Sequence, residues 1–217
     1  VGGNAVATIV ETRDDGKYKS VFDLAKRIDL RAANKKAFEG LALAGGFDDF
    51  DTHRAQYLHP DEKGVLFIEK VLRFASKFQE SQNSDQLDIF GGGSEVQIPE
   101  PEVPPCEEWG TLKKLKQEKE VVGIYISGHP LDDFKTEINR FCNCTASDFN
   151  NLEKFINREM CFGGMVGDVQ HRETKMGKGW ALFIVEDYNE SYEFRIFGEQ
   201  YLKFRHFLVP NSFIFIK

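Results

Sequence analysis

The sequence predicts an α+β chain of more than one domain: a helical module, a flexible acidic linker, and a module of short strands. Three observations lead there. Apolar residues recur at helical spacing through the first eighty positions, Pro, Gly and acidic residues then take over, and from residue 159 the pattern changes to short β-rich runs. The expected boundaries are 1–79 for the helical module, 80–108 for the linker, 109–158 for a helical connector and 159–217 for the β module. A chain of 217 residues is long for one domain and short for three, which agrees with two modules and a connection.

The helices follow in order. Residues 4–13 read as a helix capped by Asn4, with Ala5/Ile9 and Val6/Val10 at i, i+4 spacing, stopped by Asp14-Asp15-Gly16. Ser20 caps a second, with Asp23 at the third helical position as a short-armed capping box. Asn34 opens a third, which ends at Gly45-Gly46. A fourth is predicted over roughly 53–79, through Leu66, Val71, Leu72, Phe74 and Phe78. Helical propensity returns at 109–122, and Ser127-Gly128-His129-Pro130-Leu131 reads as a tight turn.

Between them, residues 79–109 hold eight acids (Glu80, Asp85, Asp88, Glu95, Glu100, Glu102, Glu107, Glu108) and no Lys or Arg. That stretch carries −8 against a chain total of −7, so everything else sums to +1. The acidity is local and does not exclude a nucleic-acid partner. With Gly91-Gly92-Gly93, Pro99, Pro101, Pro104 and Pro105, and few apolar groups to offset ordering entropy, the linker is expected to be mobile.

In the β module, runs at 160–170, 179–187 and 191–197 are followed by a short helix at 198–207 and a fourth strand beginning at Phe213-Ile214-Phe215-Ile216. Three strands, a helix and a strand suggest a five-stranded OB-fold barrel, C-terminally incomplete for want of its last strand. The pattern begins in mid-turn and stops in mid-fold, so a longer parent protein is expected.

No apolar stretch approaches the roughly 20 residues of a membrane span, and the N-terminus has no secretory pattern. The expected location is the cytoplasm. Cys106, Cys142, Cys144 and Cys161 are scattered, and Cys142-Asn143-Cys144 lacks the two-residue gap of a zinc knuckle. No metal, no cofactor and no catalytic residue is assigned. Ser127 and His129 stand two apart on a turn with no evident third group to orient them, which favours a structural turn.

The expected binding residues fall into three groups. Val1-Gly2-Gly3-Asn4 before a helix resembles the hairpin of a helix-hairpin-helix motif, where Gly2 and Gly3 let the backbone approach a phosphate and the helix amides, with Asn4, supply donors. An ordinary helix-opening turn is the alternative. A second opening at Leu30-Arg31-Ala32-Ala33-Asn34-Lys35-Lys36 has the spacing of a tandem copy; lacking glycine, it must rely on Arg31, Lys35 and Lys36. Such contacts position duplex DNA without reading its sequence. In the linker, Gln86-Leu87-Asp88-Ile89-Phe90 is an apolar island with no core to serve, and exposed anchors of this kind mark a partner's docking peptide. In the β module, Arg172, Lys175 and Lys178 on a glycine-bearing hairpin, with Trp180, Phe162 and Phe183 as stacking platforms, are candidates for single-stranded DNA. Those aromatics could instead fill the barrel, and seven basic against eight acidic residues in 159–217 imply weak, salt-dependent binding.

On these residues the chain resembles the region after the polymerase core in the alpha subunit of bacterial replicative DNA polymerase III. Gln86–Phe90 looks like the internal sliding-clamp-binding motif of that family. Lys19-Ser20-Val21-Phe22-Asp23-Leu24, Asn34–Leu41 and Ala44-Gly45-Gly46-Phe47-Asp48 are similar to its tandem helix-hairpin-helix segment, and Glu118-Lys119-Glu120 through Gly123–Leu131 to its connector. The resemblance implies a non-catalytic segment of a DNA-directed DNA polymerase, a nucleotidyltransferase. Its partners would be duplex and single-stranded DNA, the sliding clamp and other holoenzyme subunits. Two rivals are a helix-hairpin-helix repair glycosylase, which needs an apolar base pocket near Asp48 or Asp49, and a protein-only scaffold.

Overall fold

The computed structural model describes residues 1–85 and 98–217. It divides into two compact units, Val1–Ser127 and Gly128–Lys217.

The first unit is helical. Its elements are α1 (Gly3–Arg13), α2 (Val21–Arg27), α3 (Lys35–Leu43), α4 (Arg54–Tyr57), α5 (Phe67–Asp85) and α6 (Thr111–Val122). Local chemistry sets most of the boundaries. Ser20 Oγ accepts from the Asp23 amide at 3.1 Å while the Asp23 carboxylate accepts from the Lys19 amide at 3.0 Å, a reciprocal cap that reaches one residue further back than expected. Asn34 Oδ1 accepts from the Ala37 amide at 3.2 Å and starts α3. The first helix differs from the sequence expectation: Gly2 is its N-cap, in extended conformation, and Asn4 lies inside the helix.

The predicted helix over 53–79 is two helices. After α4 the chain turns at Pro60, where the Asp61 carboxylate accepts from the amides of Lys63 and Val65 (2.9 and 3.0 Å) and Gly64 takes a positive φ of 76°. Proline removes a donor from the helix ladder, and the Asp61 side chain supplies hydrogen bonds that compete with it. The core beneath is aromatic: Phe38, Tyr57, Phe67 and Ile68 are fully buried, and Phe22 meets Phe67 and Phe74 edge-on at 6.0 and 5.7 Å.

Residues 98–108, read from sequence as linker, lie along this unit. Ile98 packs against its core, Glu100 pairs with Lys26 at 2.7 Å, and Gln56 Nε2 donates to the Pro104 carbonyl at 3.0 Å. The prolines explain how so polar a segment is ordered, because they restrict the unfolded chain and so reduce the entropy lost on docking.

The second unit is a curled antiparallel sheet with a helix across it. Strands β1 (Phe162–Glu173), β2 (Gly179–Glu186), β3 (Ser191–Phe197) and β4 (Phe213–Ile216) lie in the order β3-β2-β1-β4, with α8 (Gly198–Phe204) between β3 and β4 in sequence. A further helix, α7 (Lys135–Phe141), precedes them. This is a partial OB-like barrel: a three-strand meander whose first strand also pairs with the fourth, as expected from the sequence. A bulge between Val166 and Val169 bends β1, and at Gly164 an added Cβ would fall 2.6 Å from the Glu186 carbonyl oxygen, so only glycine admits the curl. Phe162, Ala181, Phe183, Val185, Tyr201 and Leu208 form the interior.

Candidate nucleic-acid interface

At the start of α1, Gly2 and Gly3 are exposed and a Cβ on either would meet nothing within 4 Å. No side chain caps this helix, and its first intrahelical bond runs from the Val6 amide to the Gly2 carbonyl at 3.1 Å. The earlier amides point out of the helix end with its partial positive charge. Asn4 is exposed on the first turn beside them.

The second opening has different chemistry. Asn34 itself takes one of the orphan amides of α3, and the cationic side chains of Lys35 and Lys36 stand exposed on its first turn. Lys35 Nζ lies 2.8 Å from Glu69 on α5 and 3.6 Å from Glu39. The hydrogen bond to Glu69 is the main influence raising the Lys35 pKa. Arg31, exposed in the preceding turn, has its backbone amide bound to Asp29 Oδ1 at 2.9 Å.

Sequence reasoning missed an ionic knot within the same helical unit. Arg54, only 4% exposed in its side chain, donates to Glu118 at 2.7 Å and, through Nε and Nη2, to Asp48 at 2.9 and 2.6 Å. Glu118, wholly buried, also accepts from the Ile126 and Ser127 amides, each at 3.0 Å, and from Ser127 Oγ at 2.6 Å. Burial opposes its ionisation, but the donors from Ser127, Ile126 and Arg54 outweigh that and hold its carboxyl at about 2. The knot ties the start of α4 to α6 across 64 residues of sequence, and through Asp48 it holds the turn after α3 as well. Gly45, with φ +82°, makes room for the Arg54 guanidinium where any Cβ would collide with it. The signal available in sequence was the position of Glu118 three residues after buried Leu115, on the same face of α6.

The neighbouring cavity, about 350 Å³, is lined by Asp48, Phe50, Asp51, Thr52, His53, Arg54, Glu108 and Lys114. Phe50 is its one apolar lining residue and Asp48 is engaged by Arg54, so it does not supply the apolar base pocket a glycosylase needs near Asp48 or Asp49. Among the described residues, no three His, Cys, Asp or Glu side chains converge as a metal site. In the Ser127–Leu131 turn, His129 Nδ1 accepts from the Leu131 amide at 3.1 Å, and the His129 amide donates to Asp132 at 2.7 Å.

On the β unit, register puts Arg172 opposite Trp180 and Trp180 opposite Phe197, a row across three strands. The Arg172 guanidinium sits 5.6 Å from the Trp180 ring centre, and Trp180 stacks on Phe197 at 5.3 Å and 15°. Lys175 and Lys178 are exposed on the adjoining β1–β2 turn, which Gly177 closes with φ +72°. Phe162 and Phe183 are corrected: at 1% and 6% exposure they are core, packed among Phe149 and Phe194, and their faces are closed to a base. Phe197, 54% exposed, is the aromatic that sequence reasoning overlooked. Its parity gave it away, since Tyr192, Phe194 and Ile196 alternate with outward Glu193 and Arg195 and place Phe197 outward with them. The peptide Gln86-Leu87-Asp88-Ile89-Phe90 lies outside the described residues.

No helix among the described residues is long and apolar enough to cross a membrane. The family model described as a helix-hairpin-helix motif matches residues 1–57. Curated relatives align along the chain. The DNA polymerase III subunit alpha of Saccharopolyspora erythraea is 29% identical over 225 residues, covering 100% of this chain and 18% of that subunit. The Vibrio cholerae subunit is 27% identical, again over 100% of this chain and 18% of its own length. That of Campylobacter jejuni is 31% identical, over 91% of this chain and 16% of the subunit. The chain thus spans under a fifth of the length of these relatives. The chain is similar along its length to one region of the bacterial DNA polymerase III alpha subunits, and its own first 57 residues match the helix-hairpin-helix motif.

Proposed function

We propose that this chain is a non-catalytic, DNA-positioning region of a replicative DNA polymerase. The observation that carries the reading is the coincidence of a helix-hairpin-helix match over residues 1–57 with an uncapped, glycine-led helix start at Gly2-Gly3, all within a chain aligned end to end with polymerase III alpha subunits. Gly2, Gly3 and Asn4 hold one phosphate through backbone donors; Arg31, Lys35 and Lys36 hold another through charge. The peptide Gln86–Phe90 docks the sliding clamp, with Ile89 and Phe90 as anchors whose burial is worth about 1.5–3 kcal/mol each before ordering costs. Arg172, Trp180 and Phe197, flanked by Lys175 and Lys178, contact single-stranded template by stacking and charge.

Fluorescence anisotropy of labelled duplex against salt, on the full chain, tests the DNA arm. Binding should weaken steeply with salt, and its absence at low salt would leave only a protein scaffold. A clamp pull-down with Phe90→Ala tests the docking arm. Loss of clamp capture is expected, and unchanged capture would overturn it.

A further inference from the structure

We infer that the duplex-binding surface extends from α3 onto α5 and is held in check by an internal competitor, Glu69. This rests on the duplex reading above. Lys35, one of the phosphate-binding cations, is bridged at 2.8 Å to Glu69, whose other carboxylate oxygen lies 3.5 Å from Arg73. Arg73 is 65% exposed in its side chain, and Lys77 stands exposed one further turn along the same row of α5. Lys36 is exposed beside Lys35. One carboxylate therefore lies between two cations, Lys35 and Arg73, with Lys36 and Lys77 exposed on the adjoining turns, and Lys35 holds it below the ordinary carboxylate range.

A phosphate and Glu69 compete for the same donors. Without the duplex, the carboxylate organises Lys35 and Arg73 and keeps this strongly basic row from holding polyanions indiscriminately. With the duplex, a phosphate takes the place of the carboxylate between Lys35 and Arg73, and Lys77 meets the next phosphate along the strand. Glu69 thereby sets affinity while touching no base. Lys70 is not part of the row, because it is committed to Asp61 at 2.8 Å.

The test compares Glu69→Gln with Glu62→Gln, the second removing an equal charge from the exposed turn before α5. Both are titrated by anisotropy against a labelled duplex and a single strand of equal length across a salt series. Glu69→Gln is expected to tighten duplex binding about three- to tenfold at low salt. Arg73→Ala in the Glu69→Gln background should remove the gain. Equal gains in Glu69→Gln and Glu62→Gln would reduce the effect to net charge and overturn the inference, as would no gain or one confined to the single strand. Failure of the unaltered chain to bind duplex at low salt overturns the underlying duplex reading instead, so the two failures are distinguishable.

Discussion

Replacing Glu118 by Gln should cost the helical unit about 3 kcal/mol, a figure reached both from its acidity and from its pairing. The carboxyl is held at about 2 in the folded chain against 4.5 for an ordinary glutamate, and each tenfold change in proton affinity corresponds to about 1.4 kcal/mol of preference for the charged form. Removing one partner from a buried ion pair costs about 3–5 kcal/mol, because Arg54 is left charged and only half-paired. The pH dependence has a definite sign. A depressed folded pKa stabilises above the unfolded value, so the contribution of Glu118 is complete above about pH 4.5 and is lost as the pH falls towards 2. Urea denaturation followed at Trp109, in a Trp180→Phe background that leaves it the sole tryptophan, reports the helical unit alone. Glu118→Gln should shift the midpoint down at pH 7 and flatten the dependence between pH 4.5 and 2. Pairing Arg54→Met with Glu118→Leu should recover part of the loss by replacing both charges together. A Glu118→Gln protein within about 0.5 kcal/mol of the parent, a change typical of an ordinary surface site, would refute the account of the knot.

Two other substitutions separate structure from binding. Phe197→Ala should weaken single-strand binding by about 1–3 kcal/mol, the range for one aromatic–base stack, while leaving thermal unfolding of the β unit nearly unchanged. Phe183→Ala should instead destabilise that unit by about 3–5 kcal/mol, and anisotropy alongside circular dichroism distinguishes the two. Gly45→Ala should destabilise the helical unit by more than about 1 kcal/mol, because alanine is strained at that φ and its methyl displaces Arg54; an unchanged urea midpoint would contradict this.

Much of the architecture is local and therefore legible. Ser20 and Asn34 cap the helices they were expected to cap, and the strands begin and end within a few residues of their predicted limits. Each of these depends on neighbours within four positions. The split of the expected 53–79 helix was also written locally, in Pro60, Asp61 and Gly64, but helical spacing on either side concealed it. Segment 98–108 was misjudged because its composition resembles a tether, whereas its order comes from partners some fifty to seventy residues away: Lys26, Gln56 and His53.

By itself the sequence determined the helical and β modules, the glycine-led helix start and the basic β hairpin, because caps, turn residues and side-chain periodicity act through nearest neighbours. Tertiary structure alone decided that Arg54 and Glu118 meet and that Glu69 lies between Lys35 and Arg73. Those outcomes depend on which side chains lose water and which charges are brought within hydrogen-bonding distance. Desolvation and short-range charge pairing are set by chain-distant packing, which no local pattern encodes.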